Sequence, residues 1–270
     1  MFRQPAFTIR YPATFLIRGV FVTTKHRKAA KAGDRTDSSG KLVGNKILLS
    51  IPDTEFQKIC RHLEFQDLPS HRTLHEPHKK QHFVYFLNCG LASIVVAMRG
   101  GRDVEAGVVG CEGSVGTAIA VGLDKSPLCL VMQISGDGFR ISAPALLAAL
   151  PATPDLRMRL HRYAVLQGMQ VAQTAACNRL HEVKQRLARW LLMAQDRVGG
   201  GALAITHDFL ATMLGTDRPS VSLAAAALQR GKAIMYRRSS VQIVNRKKLE
   251  MAACECFRVI HQLNGHLGLK

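Results

Sequence analysis

The 270-residue sequence predicts an α+β chain: an N-terminal antiparallel β-roll, a long connecting helix, and a C-terminal helix-turn-helix with a hairpin wing. Three observations carry this prediction. Short apolar runs punctuated by glycine fill residues 83–141, the rhythm of an antiparallel sheet. Apolar residues then recur at helical spacing from Pro154 to about Cys177. Finally, residues 205–249 contain two capped helical stretches, a short turn between them and two strand-like runs behind them.

Taken in chain order, residues 1–46 hold ten Lys/Arg against Asp34 and Asp37 and include the polar run AAKAGDRTDSSGK. Phe15–Val22 is short and broken by Arg18, so it does not span a membrane. A disordered basic extension is expected here, with a cleaved targeting segment or sequence upstream of the true start as open alternatives. A leading helix is expected over Pro52–Leu63. Phe83–Phe86, Ala92–Ala97, Val104–Val109, Leu128–Ile134 and Phe139–Ile141 supply the strands of a sensor domain over 47–153, closed by a helical stretch at Pro144–Leu150.

Thr153 is expected to cap a helix opened by Pro154. Leu156, Leu160, Tyr163, Gln167, Gln170 and Thr174 form one stripe, and Met158, Val165, Met169, Ala172 and Ala176 form another on the opposite side. Two usable faces suit a dimerisation helix over 154–177, packed on its own β-roll and on a twin. A helix buried within one domain is the alternative. Asn178 reads as a break before a second helix, Glu182–Arg197, in which Leu187, Trp190, Leu191 and Ala194 recur at helical spacing and pack the C-terminal domain, residues 178–262.

In that domain Thr206 caps a helix ending at Gly215, with Asp208 complementing the dipole in its first turn. Asp217 caps the next, Pro219 sits in its first turn, and Gly231 ends it. Val221, Ala224, Ala225 and Leu228 fall at i, i+3, i+4 and i+7 and face inward. Arg218, Pro219, Ser220, Ser222, Leu223, Ala226 and Arg230 are left for the entry and the outer face, where small alanines on the inner side allow close seating in a major groove. Two strand-like runs, Ala233–Tyr236 and Val241–Val244, flank Arg237-Arg238-Ser239-Ser240, a tip suited to phosphate oxygens. Asn245 caps a last stretch that opens with Arg246, Lys247 and Lys248, cations that oppose the helix dipole and so point to an external anion.

The stretch from CNRLHEVKQRLARWLLMAQDRVGG through these helices to LEMAACECFRVI resembles the C-terminal half of the Crp/Fnr family of transcription regulators. Upstream, FVYFLNCGLASIVVAMRGGRDVEAGVVGCEGSVG resembles that family's cyclic-nucleotide-binding-type β-roll. The likeness covers roughly residues 45–262. It implies a homodimer on an inverted-repeat operator, with double-stranded DNA and a second copy as partners, RNA polymerase left open as a third, and a small-molecule effector that is not identified. No cofactor is indicated. The DNA-contacting set is then Arg218, Ser220, Ser222, Leu223, Ala226, Arg230, Arg237, Arg238 and Arg246. The family commonly reads its half-site with an arginine, an acidic residue and a second arginine; Arg218, Pro219 and Leu223 stand at the matching positions, so only Arg218 keeps a bidentate donor.

The same resemblance places an effector pocket at Gly110, Gly113, Gly116 and Thr117, with Lys125. Backbone NH groups of the glycine-rich turn could cradle an anion, or the glycines could serve only the turn. Cyclic-nucleotide binders carry an acid just after the pocket glycine and an arginine about a dozen residues on. Here Thr117 follows Gly116, and Lys125 is the sole cation between Ala118 and Met132, so dependence on cyclic AMP is not expected.

Charge supports the division. Residues 47–153 hold nine basic against ten acidic side chains, whereas residues 154–200 hold eight against three and residues 201–270 ten against four. The excess outside the N-terminal arm therefore sits on the presumed DNA side. His71, His75, His78 and His82 crowd HRTLHEPHKKQH with Glu76 and raise a metal site as a rival idea, but Pro77 prevents a helix that would align them. Seven cysteines, an odd number mostly far apart, suit a reduced, cytoplasmic protein rather than a disulfide framework. Cys254 and Cys256 are placed together on the last helix, where they diverge by about 200° and read as packing residues, so no metal ligands are assigned. No nucleophile, base and orienting group stand together, which argues against an enzyme. A stand-alone small-molecule or metal sensor with little DNA binding is the alternative to a regulator.

Overall fold

The computed structural model describes residues 33–98, 103–237 and 240–265. Two short helices, α1 (Lys46–Ser50) and α2 (Asp53–Cys60), precede eight strands in two antiparallel sheets. One sheet runs β1 (Glu64–Leu68), β8 (Gly136–Ser142), β3 (Phe83–Leu87), β6 (Ser114–Val115); the other runs β2 (Thr73–His75), β7 (Cys129–Ile134), β4 (Leu91–Ala97), β5 (Asp103–Val109). After α3 (Ala143–Ala149) comes α4 (Pro154–Leu180), 27 residues long, then α5 (Val183–Val198). The C-terminal part adds β9 (Leu203–Ala204), α6 (His207–Leu214), α7 (Arg218–Arg230), β10 (Ile234–Arg237), β11 (Ser240–Ile243), α8 (Arg246–Ala252) and α9 (Cys256–Gly265).

The sheets face one another across a core that includes Phe86, Phe139, Val84 and Ile141 on one side and Ala92, Ile94, Leu130 and Met132 on the other. Successive side chains of a strand point to opposite faces. In β4, Ala92 and Ile94 enter this core while Leu91 enters a second one, built around Trp190, Leu191 and Leu210 of the C-terminal part. A strand covered on both faces has no polar face to alternate, which is why LASIVVA reads as an almost continuous apolar run.

Several expectations need correction. Residues 33–46 are folded rather than a disordered arm: Arg35 donates to the carbonyls of Leu48 and Ile51, pairs with Asp53 and lies 4.8 Å from the centre of the Phe56 ring. Asn45, fully buried, caps α1 and donates to Leu87 O (3.0 Å) and Gly113 O (2.7 Å). The expectation for residues 1–32 lies outside the described residues. The long helix does not break at Asn178; it runs to Leu180, with His181 as C-cap and the α5 cap at Glu182, where Gln185 completes a capping box. Thr153 does not cap α4 with its side chain, which donates instead to Ala149 O. The cap comes from α2: the buried Glu55 carboxylate accepts from Asp155 N and Leu156 N, each at 3.0 Å, and its charge suits the positive end of the helix.

Candidate nucleic-acid interface

Local chemistry fixes the helix-turn-helix. Thr206 accepts from Phe209 N (3.1 Å), Asp217 from Ser220 N (2.7 Å), and the turn passes through Gly215 at φ 59°. Val221, Ala224, Ala225 and Leu228 are buried against α5 and α6 as their spacing required. On the opposite face Pro219, Leu223, Ala226 and Arg230 are exposed, with Leu223 at 74 % exposure.

The remaining candidates divide. Arg218 is exposed and only loosely held by Asp208 (3.4 Å), so its fork is free to turn outward. Ser220 and Ser222 are half-buried and engaged within the protein: Ser220 Oγ bonds the Asp217 carboxylate (3.0 Å) and Ser222 Oγ bonds His207 Nδ1 (2.8 Å). Arg237 is exposed at the end of β10, while Arg238 lies outside the described residues. Arg246 is held by Asp196 (2.6 Å), Gln195 (3.0 Å) and Glu250 (2.8 Å); the two carboxylates hold its guanidinium above its ordinary pKa and neutralise its charge locally. These partners make it a clamp between α8 and α5, while its side chain stays 39 % exposed. The neighbouring Lys247 and Lys248 are exposed.

The wing is broader than a hairpin. β11 pairs with β10 and also with β9, through Val241 and Leu203. Two residues of β9 show no alternation, so nothing in the sequence announces them. Tyr236 ties the wing to the helices: its NH donates to Gln229 Oε1 (2.8 Å), its hydroxyl to Ile205 O (2.8 Å), and its ring packs against His207 at 4.3 Å. Burial first, then the nearby Arg218 charge, lower the pKa of His207 and keep it neutral.

This unit docks on the outer face of the β2-β7-β4-β5 sheet. Val108 and Ile134 join Leu91 in the second core. A Cβ on Gly215 would come within 2.9 Å of Val104, so the helix-turn-helix turn itself abuts β5. Two buried carboxylates cross this junction. Glu105 accepts from Trp190 Nε1 (2.9 Å) and from Ser93 Oγ; complete burial pushes its pKa up to about 7 despite these bonds and the nearby Arg189 and Arg197 charges. Glu112 pairs with Arg197 at 2.8 Å, both side chains almost fully buried. Neither link was foreseen; a lone Glu in a strand-like run or a glycine-rich turn carries no signal of a partner eighty-five residues away.

The glycine-rich turn packs against the helices that follow the β-roll. A Cβ on Gly113 would lie 2.0 Å from Tyr163 Cζ, and one on Gly110 2.6 Å from Arg197 Cγ, so these two glycines make room for side chains of α4 and α5. Gly116 has φ 92° and faces His75, whose Nε2 meets Phe83 O at 2.8 Å. Thr117 is buried with its Oγ1 3.5 Å from Gln167 Oε1. Lys125 lines a cavity of about 570 Å³ together with His75, the residue that faces Gly116, and with His78, Lys79, Lys80 and His82. Of the histidine run, His75 is buried and kept neutral by burial, while His71 and His78 sit at positive φ, which holds them on turns.

The cysteine reading fails on a local point. Cys254 lies in the turn between α8 and α9, and only Cys256 is helical, so the expected divergence does not arise. The two converge with Cys177 and His181.

No helix among the described residues is long and apolar enough to cross a membrane. The sequence profile of the Crp-like helix-turn-helix domain matches residues 185–252. No curated protein matches the chain by sequence. Among solved structures, a putative transcriptional regulator of the Crp/Fnr family from Eubacterium rectale is 14 % identical, with a TM-score of 0.61 over 76 % of this chain and 96 % of its own. A CRP-family transcriptional regulator from Thermus thermophilus is 20 % identical, with a TM-score of 0.58 over 70 % of this chain and 96 % of its own. The c-di-GMP-responsive global regulator CLP of Xanthomonas campestris is 18 % identical, with a TM-score of 0.57 over 71 % and 99 %. Residues 185–252 are thus a Crp-like helix-turn-helix domain, carried in a chain with the fold of the Crp/Fnr transcription regulators.

Proposed function

We propose that this protein is a homodimeric, sequence-specific DNA-binding transcription regulator that reads an inverted repeat through α7, under the control of a signal received by the β-roll. The observation that carries the reading is the exposed face of α7, with Arg218, Leu223, Ala226 and Arg230 outward on a Crp-like helix-turn-helix. Arg218 favours guanine, and Leu223 offers methyl groups to a thymine methyl.

The dimer reading is supported by α4. Its inner stripe, Leu156, Leu160, Tyr163, Gln170 and Thr174, is buried against the β-roll, while Met158, Val165 and Met169 stand 58 %, 59 % and 49 % exposed. Gly168, Ala172 and Ala176 recur every four residues on that same outer side, and a Cβ on Gly168 would meet nothing within 4 Å. A twin helix could approach closely there. In this reading the signal shifts the balance between two arrangements of the α4 helices and the docked C-terminal domains, which sets the spacing of the two recognition helices. The domain limits are proposed as 47–153, 154–177 and 178–262, with the folded segment 33–46 added to the first.

Selection from a random DNA library, followed by gel shifts of the selected fragment at two salt concentrations, tests the reading. An inverted repeat bound by a protein dimer is expected, with affinity falling as salt rises. Absence of a selected motif would favour a stand-alone sensor. Val165→Glu is expected to yield monomer in native mass spectrometry and to lose the two-fold motif.

A further inference from the structure

Cys177 and the C-cap His181 end α4 one turn apart, so they share a face. Cys254, in the turn after α8, and Cys256, opening α9, meet that face from the other side. Four donor atoms, three sulfurs and one imidazole nitrogen, lie within 4.8 Å of one another. The Sγ atoms of Cys177 and Cys254 are 3.5 Å apart, and Cys256 Sγ is 3.6 Å from His181 Nδ1. A tetrahedral zinc ion with bonds of about 2.3 Å to sulfur and about 2.0–2.1 Å to nitrogen spaces its ligands at roughly 3.8 Å (S to S) and 3.5 Å (S to N). The observed separations therefore match a single ion. A cluster of several irons would need its ligands spread more widely.

The surroundings agree with the donor set. All three cysteines are buried, at 0 %, 4 % and 1 % exposure for Cys177, Cys254 and Cys256, so the site is closed. The second ring nitrogen of His181, Nε2, is 3.2 Å from Glu255 Oε1, the outer carboxylate that commonly orients a ligating imidazole. Gln173 Nε2 donates to Cys256 Sγ at 3.0 Å, a bond suited to a thiolate. Three thiolates and one divalent cation leave one negative charge. The buried guanidiniums of Arg186 and Arg189 on α5 stand close enough to Cys177 and Cys254 to balance it, and the Nε of each has no hydrogen-bond partner among the described residues.

We propose that Cys177, His181, Cys254 and Cys256 bind one zinc ion in a closed Cys3His site that ties the end of the long helix to the α8–α9 junction. Thiolate-rich tetrahedral sites of this kind are structural rather than catalytic, since no position is left open for water. The site stands on the four side chains alone and does not depend on the regulator reading.

The test uses the full chain, purified under reducing conditions without a metal-affinity tag. Elemental analysis is expected to give one zinc per chain, and replacement by cobalt(II) to give the thiolate charge-transfer and tetrahedral d–d bands of a CoS3N centre. Cys254→Ser and Cys177→Ser are expected to abolish both, while Cys60→Ser, remote from the site, keeps them. Cobalt titration of the unmodified chain reports on the site even if the serine variants fail to fold. Reduced wild-type protein that takes up neither metal would overturn the proposal, as would visible iron–sulfur absorption. So would a Cys177–Cys254 disulfide in the peptide map whose reduction restores no metal binding.

Discussion

Glu105 permits a sharp test of how the C-terminal domain is held to the β2-β7-β4-β5 sheet. Its side chain is fully buried, accepts from Trp190 Nε1 at 2.9 Å, and has its pKa pushed from an ordinary 4.5 up to about 7. A raised pKa means that the folded state favours the protonated acid. The resulting stabilisation is complete below the unfolded value near 4.5 and is lost as pH rises through about 7. At about 1.4 kcal/mol per unit over 2.5 units, the loss exceeds 3 kcal/mol by pH 8.5, about 6 in units of RT. Glu105→Gln keeps an oxygen for Trp190 and a polar partner for Ser93 but cannot ionise. Urea unfolding, followed by the fluorescence of the sole tryptophan, is run on both proteins from pH 5 to 8.5. The variant is expected to match the parent near pH 5 and to exceed it by about 2–3 kcal/mol at pH 8.5. Titrating histidines cancel in the difference. Stability curves that stay parallel across that range would refute the argument. Glu105→Ala is expected to lose about 1–3 kcal/mol at pH 5, because the indole NH is left buried without an acceptor.

Four further outcomes follow from the same structure. Glu112→Ala strands the buried Arg197 guanidinium and is expected to cost about 3–5 kcal/mol in chemical denaturation, whereas an exposed pair such as Lys79–Glu76 would cost far less. Replacing Arg237 and Arg238 by Ala should weaken all DNA binding alike and lower the salt slope by about one per lost phosphate contact; an unchanged slope removes the wing tip from the interface. Leu223→Ser should relax preference at one symmetric pair of operator positions by roughly 1 kcal/mol and leave nonspecific affinity intact, and identical motifs from library selection would deny the leucine a reading role. Calorimetry with cyclic AMP or cyclic GMP should show no micromolar binding, equivalent to about −8 kcal/mol, since Tyr163 and Arg197 pack against Gly113 and Gly110 of the glycine-rich turn; saturable binding would require Lys125 or another cation to take the phosphate.

What could be read from the sequence was local. The caps Thr206, Asp217 and Asn245 and the C-terminal Gly215 act within four residues of their own chain, and each stands where expected. The i, i+3, i+4, i+7 spacing of Val221, Ala224, Ala225 and Leu228 likewise fixed the buried face of α7. What could not be read was long-range. The cap of α4 comes from Glu55, a hundred residues upstream. The presumed pocket glycines accommodate Tyr163 and Arg197, contacts no spacing rule encodes. β1 (EFQDL) has no apolar alternation because only Leu68 is buried. Cys254 was misplaced because the sequence holds no breaker between Leu249 and Phe257: neither glycine nor proline occurs there, yet the helix stops at Ala252.

The anchoring of α4 has a mechanical consequence. Its first turn is pinned to α2 through Glu55 and its last turn meets α9, while the 27 residues between span about 40 Å at 1.5 Å per residue. A rod held in this way converts a small tilt into a large displacement: about 5° at the Glu55 end moves the far end by roughly 3.5 Å, on the scale of one base-pair step along DNA. Two such rods side by side would double that change in span. In the proposed dimer, a repacking of about 1 Å around Tyr163 would therefore shift the two α7 helices relative to successive major grooves.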